Sequence, residues 1–210
     1  AYADVSDGNH MGISEQFSDE GIPYYRGQDA GAFFIENSNP ICIDEITFNR
    51  PVMKRSHLKQ GDVLLSIVGT IGALSLVYSN KDATCSCKLA ILRPKKSDTE
   101  AVIAAFFKGK YGQAQIKRYT RGAVQMGLIL EDTDQIIVPH FTDTLGKAIK
   151  QQIDLAYRIK EHSIQTYSEA QELLETHLGI SKAEKCDLIT STETLLQSFK
   201  ATGRLDAEYY

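Results

Sequence analysis

Two carboxylates beside a histidine, Asp4, Asp7 and His10, are the first residues along the chain whose types could act together, as an acid and base or as ligands for a cation. The run Asp7-Gly8-Asn9 is equally an ordinary turn after a strand, which accounts for it without chemistry. Metal centres need several Cys or His residues at close spacing, but Cys85-Ser86-Cys87 has no second pair, and His10, His57, His140, His162 and His177 are scattered. Cys85 and Cys87 are expected to share one face of a strand, and Cys42, Cys85, Cys87 and Cys186 to be reduced, mostly buried thiols. Gly69-Thr70-Ile71-Gly72 is too short to cradle a nucleotide phosphate and reads as a tight turn between strands. Asn39-Pro40-Ile41-Cys42 lacks the second proline of the Asn-Pro-Pro-aromatic motif of a DNA methyltransferase, and no G-x-S-x-G elbow occurs. The expectation is a chain without catalysis, metal or cofactor of its own.

Charge is more informative. From Ala101 to Leu130 there is no acidic residue, while Lys108, Lys110, Lys117, Arg118 and Arg121 alternate with Tyr111 and Tyr119. Such a window is either a solvated helix face or a row of phosphate contacts along a nucleic-acid backbone. A second basic cluster, Arg50, Lys54, Arg55, His57 and Lys59, surrounds Pro51. Together with Arg26 and Gln28 it offers planar donors, and arginine can bond a guanine edge through two donors as glutamine can an adenine edge. The net charge of −4 conceals this: residues 1–130 hold 15 Lys+Arg against 13 Asp+Glu, and residues 131–210 hold 8 against 14.

The elements that must position these residues form an α+β fold, mainly β at first. Short β-type runs at 23–25, 32–35, 63–68, 73–77 and 89–92 are separated by Gly27, Gly31, Gly61, Gly69 and Gly72. Val102, Ile103, Phe106 and Phe107 recur at helical spacing, and 113–119 extends to another short helix. From Asp143, one long amphipathic helix carries Leu145, Ile149, Ile153, Ala156, Ile164, Tyr167, Ala170, Leu174 and Leu178 on its apolar stripe, with Gly179 as its stop. Its roughly 35 residues would extend about 50 Å, so the helix is expected to pack outside the globule. Ser181 and Glu184 form a capping box for a second helix bearing Ile189, Leu195, Leu196 and Phe199, which suggests a helical hairpin or coiled coil.

At 210 residues, 42% apolar and 24% charged, the chain fits one principal soluble domain with an appendage. The expected divisions are a domain over 1–142, a helical spacer over 143–203 and the start of a possible second half over 204–210. No apolar run approaches the roughly 20 residues that span a bilayer and no signal core opens the chain, so a cytoplasmic location without membrane contact is expected. The abrupt ends suggest a fragment of a longer protein.

An ordered series of motifs adds to this reading: Asp7-Gly8-Asn9-His10, Gly21-Ile22-Pro23-Tyr24-Tyr25-Arg26, Leu58-Lys59-Gln60-Gly61-Asp62-Val63-Leu64-Leu65, Gly69-Thr70-Ile71-Gly72, Arg121-Gly122-Ala123-Val124-Gln125, Ile136-Ile137-Val138-Pro139, and Gln151-Gln152-Ile153 within the long helix. Their succession over residues 4–180 resembles a target-recognition domain and spacer helix of the specificity subunit of type I restriction-modification systems. The resemblance implies a subunit that reads one half of a bipartite site in double-stranded DNA and positions methyltransferase and restriction subunits, with cofactors bound there and none here. It implies DNA contact by Arg26, Gln28, Arg50, Lys54, Arg55, His57, Lys59, Lys108, Lys110, Lys117, Arg118, Tyr119, Arg121 and Gln125. The long helices would pack against a second half or a second copy. Alternatives are the recognition tail of a single-chain restriction-methylase, a protein-interaction or oligomerisation module that does not touch DNA, and a hydrolase built on Asp4, Asp7 and His10.

Overall fold

Residues 63–65 and 89–92 are apolar at consecutive positions, so strands made from them must be covered on both faces. The computed structural model describes residues 2–35, 39–122 and 126–179, and in it these two segments are the centre of a four-stranded sheet. In chain order the elements are β1 (Ala3–Asp7), β2 (Phe17–Ser18), β3 (Ile22–Tyr25), β4 (Cys42–Ile43), α1 (Glu45–Phe48), β5 (Val63–Ser66), β6 (Leu74–Leu76), β7 (Thr84–Cys85), β8 (Leu89–Pro94), α2 (Glu100–Lys108), α3 (Lys110–Tyr119), α4 (Leu130–Thr133) and α5 (Asp143–Leu178). Contacts divide the chain into two units, residues 1–158 and 159–210.

In the first unit the main sheet runs β1-β8-β5-β6 and is antiparallel throughout. Strand alternation sends Val63, Leu65, Ala90 and Leu92 to one face, against Ile103, Ala104 and Phe107 of α2 and Ile116 of α3. It sends Leu64, Leu89 and Ile91 to the other, against Tyr25, Leu58 and Cys85. Beyond that second face lies a small mixed sheet, β2-β4-β3-β7, in which β3 and β7 are parallel. Leu64, Leu65, Leu89 and Ile91 are fully buried, and burial of each stabilises the fold by about 1.5–3 kcal/mol.

Four expectations change on contact with the fold. Residues 32–35 make no strand; Phe34 forms a single bridge to Leu76, because Phe33 and Phe34 turn into an aromatic cluster with Tyr78 and Tyr157. Residues 136–139 make none either, since the Gln115 side chain takes the place of a neighbouring strand: its Oε1 accepts from the Ile137 N–H at 2.9 Å and its Nε2 donates to the Ile137 carbonyl at 3.0 Å. Cys85 is buried in β7, but Cys87 lies in the following turn, so the two do not share a strand face. Helix α3 also begins at Lys110, ahead of the expected residue 113, because Gly112 lets it press against α2; a Cβ there would lie 2.4 Å from the Phe106 carbonyl oxygen.

Helix α5 covers the expected span, and Gly179 ends it at φ +69°, a conformation glycine adopts without strain. The part of α5 up to Arg158 belongs to the first unit. Ile153 and Tyr157 pack on the first core cluster, Tyr157 stacks on Tyr78 at 4.1 Å, and the Tyr78 hydroxyl donates to Asp154 at 2.5 Å. In the second unit, Ile164, Tyr167, Leu174 and Leu178 are exposed. The expected second helix and the segment 204–210 lie outside the described residues. Among the described residues no helix is long and apolar enough to cross a membrane.

Candidate nucleic-acid interface

The register of the main sheet gives it two distinct ends. Asp7 pairs with Ala90, Ser66 with Leu89 and Leu65 with Leu74 at one end, whereas Ala3 pairs with Pro94 and Val63 with Leu76 at the other. The first end is where the loops gather.

Asp7, at the close of β1, is buried, and its carboxylate bonds His10 Nε2 at 2.5 Å and the Arg55 guanidinium. The turn that follows is welded to the end of β7: the Asn9 N–H donates to the Cys85 carbonyl at 2.8 Å and the Cys87 N–H donates to the Asn9 carbonyl at 2.9 Å. Gly8 is required there, since a Cβ would sit 2.3 Å from the Cys85 carbonyl oxygen. One residue on, the Ser86 N–H donates to the Tyr25 carbonyl, which brings Arg26 to the same loops. Asp29 accepts from the Arg26 N–H at 2.7 Å and pairs with its Nε at 3.6 Å. The Thr70 hydroxyl donates to the Gly27 carbonyl at 2.8 Å and meets Ser66 Oγ at 3.0 Å, tying the Gly69–Gly72 loop to the Gly27–Asp29 turn. Val68 then bridges Gly127, which bridges Arg121, and Arg121 pairs with Asp132 at 2.6 Å.

An unbroken series of contacts therefore links Arg55, His10, Arg26 and Arg121 at one end of the sheet. Gln28 is exposed in the Gly27–Asp29 turn, Lys88 is exposed just before β8, and Lys117 and Arg118 are exposed in the last turn of α3, which leads into Arg121. Lys88 was not singled out by the sequence, and neither were Asp29 and Asp132. Asp7, three residues before His10, and Asp29, three residues after Arg26, each left a local signal.

Other basic candidates are placed differently. Lys54 is exposed and Arg50 half-buried beside the Pro51–Ser56 turn that carries Arg55. His57 lies flat on Phe48 at 3.8 Å, with Nε2 bonded to the Phe48 carbonyl at 2.9 Å. Lys108 donates to the Gly31 and Leu74 carbonyls, Lys110 lies over the Tyr111 ring at 5.0 Å, and Tyr119 packs against the first core cluster. Lys59 precedes β5 at the opposite end of the sheet. There Arg93 donates from Nε and a terminal nitrogen to Asp62 at 2.8 and 2.6 Å, and the same terminal nitrogen also donates to the His57 carbonyl. The Asp62 carboxylate holds the Arg93 guanidinium above its ordinary range. Gln125 lies outside the described residues.

The hydrolase arrangement does not form. Asp4 pairs with Lys95 near the start of β1, three residues from Asp7 or about 10 Å along an extended strand. Among the described residues, no group of three His, Cys, Asp or Glu side chains could hold a metal ion.

The fold, an α+β domain with one long helix to its C-terminal side, is similar to that of a solved S subunit of a type I restriction-modification system. The crystal structure of the M. genitalium S subunit is similar to this chain at a TM-score of 0.57 and 14% identity, over 84% of this chain and 42% of that one. A structure of a type I restriction-modification assembly (TM-score 0.44, 17% identity, covering 82% and 41%) and the HsdS subunit from Thermoanaerobacter tengcongensis (0.45, 20%, covering 75% and 37%) also match. The chain thus spans about two fifths of the length of these proteins. No family model matches the sequence, and no curated protein does.

Proposed function

We propose that this chain is a DNA-recognition subunit of a type I restriction-modification system, reading one half of a bipartite site in double-stranded DNA and doing no chemistry itself. The observation that carries the reading is the gathering of Arg26, Arg55, Lys88 and Arg121, from segments far apart in sequence, at one end of one antiparallel sheet beside the acid-free helix α3. Duplex DNA asks for such a set of cations at fixed spacing, some meeting phosphate and some meeting base edges. In this reading residues 1–142 are the recognition domain, and residues 143–203 are a spacer that holds it at a set distance from a second half or a second copy. Methyltransferase and restriction subunits would be the protein partners, in the cytoplasm.

The test is a mobility-shift titration of genomic duplex fragments with the full-length protein, purified with any subunits that accompany it, over a range of salt. Lys117→Ala and Arg118→Ala are each expected to lower the slope of log affinity against log salt by about one. Unchanged affinity and slope in both, together with unchanged binding in Arg121→Ala, would remove this end of the sheet as the DNA-facing surface.

A further inference from the structure

Two arginines at the loop end of the main sheet are arranged alike. Each has an exposed guanidinium that donates to a nearly buried carboxylate: the side chains are 56% exposed for Arg55 against 10% for Asp7, and 66% for Arg121 against 10% for Asp132. The two aspartates come from separate segments, one closing β1 and one in α4.

Carboxylates are unexpected on a surface meant only to attract phosphate. Each cancels most of its arginine's long-range field, so the pair adds little to electrostatic attraction. What the carboxylate does supply is orientation. A guanidinium is a planar fork of five donors; with one donor held from behind by an ion pair, the plane is fixed and other N–H groups point outward. Guanine offers two acceptors, N7 and O6, side by side at its major-groove edge, and a pre-oriented fork meets both with less loss of side-chain entropy than a free one. Lys88, Lys117 and Arg118 at the same end are exposed and act as charges. Arg93, at the opposite end, shows the contrasting case: it makes two bonds to Asp62 and a third to a carbonyl.

We infer that Arg55 and Arg121 are base-reading side chains, each a guanine reader held in plane by Asp7 and Asp132 respectively, while Lys88, Lys117 and Arg118 contact phosphate. The inference rests on the DNA-recognition reading above. The two aspartates are positioning residues.

The test selects DNA from a library of duplexes carrying roughly 20 random base pairs, about two helical turns, using the full-length protein with any subunits that accompany it. Bound DNA is sequenced, and affinity for one selected and one unselected duplex is then titrated against salt. Asp132→Asn, Asp7→Asn, Arg121→Lys and Arg55→Lys are compared with the unaltered protein, each checked for an unchanged melting temperature. The lysine variants keep the charge and the anchor, so they report even where an aspartate variant fails to fold. The expected result is loss of guanine preference at one motif position per arginine, by roughly tenfold or more, with the rest of the motif intact, the salt slope unchanged and binding to the unselected duplex the same or stronger. An unaltered motif in the lysine variants overturns the inference, as does an equal loss on selected and unselected duplexes. Failure of the unaltered protein to enrich any motif overturns the DNA-recognition reading itself.

Discussion

Asp7, Gly8, Asn9 and His10 illustrate how single residues define the candidate surface. The turn is held by backbone bonds to the end of β7, and only hydrogen fits at the Cα of residue 8. Gly8→Ala is therefore expected to destabilise the fold by about 1–3 kcal/mol, the scale of an overpacked site, and to lower the melting temperature measured by circular dichroism. Burial governs the nearby thiol as well. Cys85 is wholly buried, and desolvation, with Asp62 next in effect, pushes its pKa far above the ordinary thiol value. It stays a protonated, unreactive thiol under native conditions. Iodoacetamide at pH 8 should leave Cys85 unmodified in the folded protein and modify it once denatured, as read by peptide mass spectrometry.

At the scale of elements, the part of α5 up to Arg158 is held within the first unit by specific side-chain contacts. Lys150 donates to Glu100 at 2.6 Å, Tyr157 stacks on Tyr78, and the Tyr78 hydroxyl donates to Asp154. Burial first, and the hydrogen bond to Asp154 second, raise the Tyr78 phenol above its ordinary value. A group whose folded pKa is raised contributes its stability fully below the unfolded value, about 10 for tyrosine, and loses it as pH rises through the folded value. The native chain is thus expected to lose stability above pH 10 partly through Tyr78, and Tyr78→Phe to flatten that part of the alkaline limb in urea titrations at pH 9–11. The same substitution removes the bond to Asp154, and hydrogen exchange of residues 150–158 should quicken at neutral pH.

Within the first unit, basic residues lie at both ends of the main sheet. At one end the cations are exposed, or held by carboxylates behind them. At the other, Lys95 pairs with Asp4, Lys96 with Asp143 and Arg93 with Asp62. Lys95→Ala should leave the salt slope of DNA binding unchanged where Lys117→Ala lowers it by about one. That comparison tests the polarity of the molecule directly. In the second unit Ile164 and Leu174 are exposed on α5, and the proposed spacer pairing would cover them. If it does, replacing both with glutamate lowers the melting temperature at 222 nm, with a fall in sedimenting mass where a second copy supplies the partner.

Local pattern and tertiary structure contributed different things. Helix α5 was legible to its last residue because a 3.6-residue apolar period and a terminal glycine are properties of the chain itself. So were β5 and β8, whose short apolar runs Val63–Leu65 and Leu89–Leu92 lie among turn glycines and fit strands buried on both faces, and β6 beside them. The acid-free basic window was equally plain in the sequence. No local rule could show that Arg55 would meet Asp7, 48 positions away, that Gln115 would stand in for a strand beside Ile137, or that Lys59 and Arg26 would lie at opposite ends of one sheet. Those outcomes follow from strand register and loop closure, which join residues distant along the chain. Sequence determined the long helix, the central apolar strands and which charges are available; only the packing of those elements decided which charges face outward together.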